Sequence, residues 1–199
     1  MKDKIVQKFM FSEREEIKLI ASFIEKGGIV LAPTDTVWAL CCDATNPLAV
    51  ERIKEIKRKV NNSGLVVVVE SIEMLKNYVS VLHPRLETLL TYHKRPMNVI
   101  YPEYKNLALS VAAEDQSIAI RVTINEFLKE IIWECGIPIV ASSANFSGMG
   151  SPENFSYINP QIISSVDYVV KYRQMDNSKQ SGASIVRLST NTELDFIRQ

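Results

Sequence analysis

The sequence reads as an α/β protein with a mixed sheet, and three observations carry that reading. Short apolar runs rich in β-branched residues alternate along the whole chain with segments whose apolar residues recur at helical spacing. The chain has 199 residues, 46% hydrophobic and 23% charged. That length suits one well-buried domain while two would be small, so residues 1–199 are read as a single domain. Two of the apolar runs, Ile29-Val30-Leu31-Ala32 and Ile137-Pro138-Ile139-Val140-Ala141, lead directly into small-polar motifs. In α/β proteins the ends of strands are where ligands sit.

The elements follow in order. Ser12 and Glu15 form a capping-box pattern. Ile17, Ile20, Ala21 and Ile24 then keep helical spacing until Gly27-Gly28 supplies a stop. A strand at about 29–33 delivers the first motif, Pro33-Thr34-Asp35-Thr36-Val37-Trp38, followed by Cys42-Asp43-Ala44-Thr45-Asn46. Ala49, Ile53, Ile56 and Val60 mark a second helix whose other face is basic: Arg52, Lys54, Lys57, Arg58 and Lys59. Leu65 to Val69 is a continuous apolar run and reads as a buried strand. Residues 72–92 read as helix in two pieces broken before Pro84, and Val99 to Tyr101 and Ile118 to Val122 as short strands. Leu128, Ile131, Ile132 and Cys135 mark a helix ended by Gly136. A strand over 137–141 delivers the second motif, Ser142-Ser143-Ala144-Asn145-Phe146-Ser147-Gly148. Residues 147–160, rich in Ser, Gly, Pro and Asn, read as a surface loop and a lid candidate. Strands near 167–170, 183–188 and 193–197 complete the chain.

The composition excludes some classes of function. Formal net charge is zero, which argues against a protein that coats nucleic acid nonspecifically, since such binding rests on summed Lys and Arg. No apolar run approaches the roughly 20 residues that span a bilayer, and Met1-Lys2-Asp3-Lys4 leads into no signal-peptide core. The three cysteines include the adjacent pair Cys41-Cys42 and show no metal-ligand spacing. They read as reduced packing residues of a cytoplasmic protein with no membrane partner. No Gly-rich phosphate loop or dinucleotide fingerprint is present.

Several side chains are candidates for ligand contact, each beside an ordinary structural role. Lys57 and Lys59, at the end of the basic helix and just beyond it, suit an anionic ligand, although charge runs are more often solvated helix faces. Thr34 and Thr36 offer two hydroxyls, one for a ligand and one for the turn itself. Ser142, Ser143 and Asn145 form either a ligand cradle or a loop that satisfies its own backbone. Arg121 alternates with Ile120 and Val122, so it faces a cleft if they face the core. Trp38 reads as partial core, and His83 and His93 receive no role.

Taken together, Leu31-Ala-Pro-Thr-Asp-Thr-Val-Trp-Ala-Leu-Cys-Cys-Asp-Ala-Thr-Asn46, Ala49-Val50, Ile53, Lys57 and Ile139-Val-Ala-Ser-Ser-Ala-Asn-Phe-Ser-Gly148 resemble the YrdC-type domain, the family of threonylcarbamoyl-AMP synthases. The similarity runs in order from about residue 14 to 198. It implies a twisted α/β fold with a concave, positively lined cavity. It also implies a reaction in which L-threonine, bicarbonate and ATP give threonylcarbamoyl-AMP and pyrophosphate. A downstream transferase complex then carries the threonylcarbamoyl group to A37 of tRNA, the t6A modification. Mg2+ would arrive on the ATP, with no metal held by the protein. By position, the resemblance makes Thr36 a contact to threonine beside Thr34, and Arg121 the partner of its carboxylate. Lys59, Ser63, Ser143, Asn145, Ser151 and Arg198 fall where the family holds the nucleotide. Lys57 matches a basic residue of the cavity, paired with Lys59 as the catalytic candidates. Ser184, in Gly182-Ala183-Ser184-Ile185-Val186, matches a segment that closes the site.

The sequence departs from the family pattern around this site. Lys59 stands where Arg is usual, which removes bidentate phosphate geometry. Val60 and Gly64 replace prolines, Ser63 replaces a longer polar residue, and Ala39 and Cys41 replace glycines. The family's Trp-Pro-Gly-Pro-x-Thr element becomes His93-Lys94-Arg95-Pro96-Met97-Asn98. Ala183 stands in place of a hydroxyl residue and Arg187 in place of Asp. A second reading therefore stays open: a divergent paralogue that binds nucleotide, tRNA or double-stranded RNA through the same cavity without this catalysis.

Overall fold

A computed structural model describes residues 2–59, 64–178, 182–189 and 193–198, with side chains from 13 to 197 within those ranges. Helix α1 (Lys2–Glu25) packs on helix α5 (Glu126–Cys135) and on the hairpin of strands β1 (Val30–Pro33) and β2 (Trp38–Asp43). It begins ten residues before the capping pattern at Ser12, which lies inside it. Ile5, Val6, Phe9 and Met10 carry the helical spacing upstream of that serine, and this longer amphipathic run outweighs a local cap signal. Ile17, Ile20, Ala21 and Ile24 form the buried stripe, each large member worth about 1.5–3 kcal/mol when fully buried. Gly27 ends the helix at φ +78, a left-handed conformation open to glycine.

The second helix is α2 (Pro47–Ile56), which holds the expected Ala49, Ile53 and Ile56, while Val60 lies outside the described residues. Asn46 accepts from the amides of Leu48 and Ala49, and Pro47 fills the first turn. Strand β3 (Val66–Val69), helices α3 (Ile72–Lys76) and α4 (Pro84–Tyr92), strands β4 (Met97–Tyr101) and β5 (Ile118–Val122), then α5 and β6 (Ile139–Ser143) follow the predicted order. Asn125 caps α5 and Gly136 closes it at φ +65. A short helix α6 (Pro160–Ile163) and strands β7 (Tyr168–Val169), β8 (Ser184–Leu188) and β9 (Leu194–Arg198) complete the described chain.

Among the described residues nine strands form one mixed sheet, ordered β7-β1-β2-β6-β3-β5-β4-β8-β9. The pairs β1–β7, β3–β5 and β4–β8 are parallel and the other neighbours antiparallel. Strand β2 was not among the predicted elements. Trp38 to Cys42 is buried on both faces, so the run carries no alternation that would identify a strand. Trp38 is fully buried and packs on Phe155, with ring centroids 4.8 Å apart. Ser142 and Ser143 belong to β6 itself rather than to the loop after it.

The sheet is strongly curled. Strands β6 and β3 separate β2 from β5, which in a flat sheet would put them about 14 Å apart. Yet the turn leading into β2 touches β5, where Asp35 Oδ1 lies 3.3 Å from Arg121 Nε. Twist accumulated over these strands brings the turn back over the concave face.

Candidate functional site

The concave face encloses a cavity of about 390 Å³, whose lining includes Thr36, Arg121, Asn98, Ala39, Ser143 and Ser151. Register explains the gathering. Ala39 lies opposite Ser143 and Cys41 opposite Ala141 across β2–β6, so Ala39, Ala141 and Ser143 share one face. Val68 pairs with Arg121 across β3–β5. Small side chains at 39 and 141 leave the hollow, and the strand-end hydroxyls furnish it.

Two threonines of the first motif divide the labour. The Thr34 hydroxyl accepts from the amides of Thr36 and Val37, at 3.0 and 3.2 Å, and donates to the Val37 carbonyl at 2.8 Å. It is a staple of the turn and does not line the cavity, whereas Thr36 does. Thr36 is 5% exposed and accepts from Arg121 Nη1 at 3.3 Å.

Arg121 is 4% exposed and faces the cavity, while Ile120 and Val122 on the other face join the core. Burial lowers its guanidinium below the ordinary value, opposed by Asp35 and Cys41. The Asp35 contact is ionic and unaligned: neither Asp35 Oδ1 nor Arg121 Nε has a hydrogen-bond partner among the described residues. Asp35 Oδ2 accepts from the Ile124 amide at 3.4 Å.

The basic helix is placed differently from its expectation. Lys57, 6% exposed, donates from Nζ to the carbonyls of Ser143 and Asn145 (2.9 Å for the latter), and its own carbonyl accepts from the Ser147 amide. It braces the second motif from behind and does not line the cavity. Burial, with a smaller contribution from Lys59, lowers its ammonium to about 8. Lys59 Nζ donates to the Gly64 carbonyl at 3.1 Å, and burial and Lys54 lower it too. Arg58 lies over the Phe146 ring, Arg52 forms an ion pair with Asp167, and Lys54 pairs with Glu51. The expected positive lining is therefore not what the described residues provide. Their only charged lining groups are Arg121, already facing Asp35, and Glu153.

The other candidates are scattered. Asn145 Nδ2 donates to the carbonyls of Phe146 and Met149, which shapes the loop rather than the cavity. Ser184 sits on β8 with its amide on the Pro96 carbonyl, beside the lining residues Gly182 and Ala183. Arg198 lies opposite Ile185 on β9, with its side chain outside the described residues, as is Ser63. The loop read as a lid contributes Ser151, Pro152 and Glu153 to the cavity wall.

The sequence names Asn98 only as the end of the altered 93–98 element; the structure puts it on β4, 5% exposed and lining the cavity, and adds the pairing of Asp35 with Arg121. A polar residue entering the apolar run Val99-Ile100-Tyr101 was the available signal for Asn98. The thiols carry no chemistry here: burial pushes Cys41 and Cys135 up to about 12 and Cys42 well above its ordinary value. Among the described residues no three His, Cys, Asp or Glu side chains group as metal ligands, and no helix is long and apolar enough to cross a membrane. Hydroxyls, one guanidinium, one carboxamide and the Glu153 carboxylate, as the described lining supplies them, suit binding and orientation of a polar small molecule.

Comparison with known proteins gives a consistent picture. The family model for Sua5, YciO and YrdC, described as telomere recombination, matches residues 22–199. A curated relative from Xanthomonas axonopodis pv. citri, named threonylcarbamoyl-AMP synthase, is 30% identical over 150 residues, 74% of this chain and 80% of that protein. The crystal structure of P. abyssi Sua5 complexed with L-threonine superposes with TM-score 0.81 at 22% identity, covering 93% of this chain and 54% of that one. Full-length HypF in its phosphate- and nucleotide-bound form gives TM-score 0.79 at 21% identity, covering 92% of this chain and 28% of that one. The chain thus spans about half the length of the Sua5 protein, and these structures share its fold.

Proposed function

The chain belongs to the Sua5/YciO/YrdC family, and from that premise we propose that it is an L-threonylcarbamoyladenylate synthase, a nucleotidyltransferase of cytoplasmic tRNA modification. The observation that carries this reading is the convergence of Thr36, Arg121 and Ser143 on one cavity. Threonine would bind through its carboxylate at Arg121, whose fork has donors beyond those turned to Thr36. Ser143 and Ser151 would accommodate the phosphates of ATP, which brings Mg2+ as its counter-ion. The threonine amine takes up bicarbonate-derived CO2. The resulting carbamate oxygen attacks the α-phosphorus, and the bond to the bridging oxygen breaks to release pyrophosphate. No protein nucleophile is required, only alignment and charge neutralisation. Lys57 supports this indirectly, by fixing the carbonyls of Ser143 and Asn145. The product would pass to a t6A-forming transferase complex acting on tRNA.

Support comes from the curated relatives, which are named threonylcarbamoyl-AMP synthases. The test is incubation with ATP, Mg2+, L-threonine and labelled bicarbonate, with product followed by rapid chromatography and pyrophosphate measured in parallel. Threonine-dependent label in an adenylate is the expected result. Absence of product, where a family enzyme of known activity succeeds in the same assay, would refute it. Salt-sensitive RNA binding by such an inactive protein would then favour the nucleic-acid reading.

A further inference from the structure

We propose that Asn98 determines amino-acid specificity, its side-chain oxygen accepting a hydrogen bond from the side-chain hydroxyl of the substrate; this rests on the synthase reading above. Among the described cavity-lining residues, two buried side-chain polar atoms have no hydrogen-bond partner: Arg121 Nε, which has only the unaligned Asp35 carboxylate at 3.3 Å, and Asn98 Oδ1. One is a donor and the other an acceptor. Their residues also stand side by side in the sheet. Strands β4 and β5 pair Val99 with Ile120, and continuing that register by one residue sets Asn98 opposite Arg121. Directly opposed residues of an antiparallel pair have Cβ atoms about 4.5–5.5 Å apart on one face.

A ligand that satisfies both atoms carries an acceptor and a donor close together. A β-hydroxy amino acid does so, with its carboxylate at Arg121 and its hydroxyl at Asn98. Its α-amine is also a donor, but it is the reacting atom. A fixed acceptor there would favour the unreactive ammonium over the carbamate-forming amine and oppose catalysis. The hydroxyl keeps its donor through the whole reaction. An isostere without it would leave Oδ1 buried and unpaired, which disfavours binding by roughly 10- to 100-fold.

The experiment compares L-threonine with L-valine, its isostere lacking the hydroxyl. It uses calorimetric binding to the full chain with a non-hydrolysable ATP analogue, alongside turnover. The wild type is expected to favour threonine by at least about 10-fold. Asn98→Leu, which keeps the branched shape and heavy-atom count and removes the acceptor, is expected to erase most of that ratio while leaving nucleotide affinity within about twofold. Asn98→Asp keeps the acceptor and places a carboxylate by Arg121. It is expected to weaken both amino acids and retain the ratio. An unchanged ratio in Asn98→Leu, or an equal loss in both variants, overturns the proposal. A wild type that binds threonine over valine but forms no adenylate would refute the synthase reading and leave this inference standing. One that binds neither amino acid overturns both.

Discussion

Replacing Arg121 by Met removes a buried cation and leaves the Asp35 carboxylate without its counter-ion. The two side chains are 5% and 3% exposed, and their charged atoms lie 3.3 Å apart. Breaking such a pair on one side costs about 3–5 kcal/mol, because the surviving buried charge has lost its counter-ion. For a chain of this size that is a fall of about 10 °C in melting temperature. The pair itself is poorly aligned, and burial already weighs against the guanidinium. Neutralising both groups should therefore be nearly harmless to folding. Asp35→Asn on the Arg121→Met background keeps an acceptor for the Ile124 amide and is expected to restore at least about 2 kcal/mol. Urea denaturation of the wild type, both single variants and the double variant gives the coupling energy. Threonine binding should be lost in both Arg121→Met proteins whatever their stability. A loss below about 1 kcal/mol for Arg121→Met, or strict additivity in the double variant, would refute the argument that these are a buried, mutually dependent pair.

Three further outcomes are expected. Thr34→Val should cost about 1–2 kcal/mol of stability by removing the turn's staple, whereas Thr36→Val should spare folding and raise the KM for threonine; steady-state kinetics beside thermal melts separate the two. Lys57 has a folded-state value lowered to about 8 from 10.5. The unfolded chain therefore binds more protons between these values, and this residue's contribution to stability rises with pH across about 8–10.5; stability measured at pH 7.5 and 10 should show that component, absent in Lys57→Met. Cys41, whose thiol burial keeps protonated to about 12, should resist iodoacetamide at pH 8 in the native protein and react only on unfolding; prompt native alkylation by mass spectrometry would contradict its packing.

Much of the fold is legible in the sequence because most strands are short apolar runs bounded by turns, and the helices carry real caps at Asn46 and Asn125. What escapes has physical causes. Strand β2 is apolar on both faces, so periodicity cannot tell it from buried helix or loop. The start of α1 is misread because a local capping pattern at Ser12 imitates a terminus inside a longer helix. At the site, the motifs locate the right segments without assigning their side chains. Thr34 and Thr36 are chemically identical in sequence, and only the turn geometry shows which one spends its hydroxyl on the backbone. Lys57 reads as a charge seeking a ligand, because sequence cannot show that the carbonyls of Ser143, at the end of β6, and Asn145, just beyond it, 86 and 88 residues away, face it. Asn98 requires knowledge that β4 pairs with β5, a long-range fact.

The turn that curls back over the sheet also bears on how this protein comes into being. Thr36 and Arg121 are 85 residues apart in the chain, and they meet only after strands β6 and β3 have been set between theirs in the sheet. Closing so long a loop loses chain entropy before any contact compensates it. The binding hollow is thus a late event in folding, assembled when the last central strand is in register. A partly folded chain would hold strands and helices and still have nowhere to bind a substrate. Ligand added during refolding should therefore slow unfolding of the finished protein without hastening its formation.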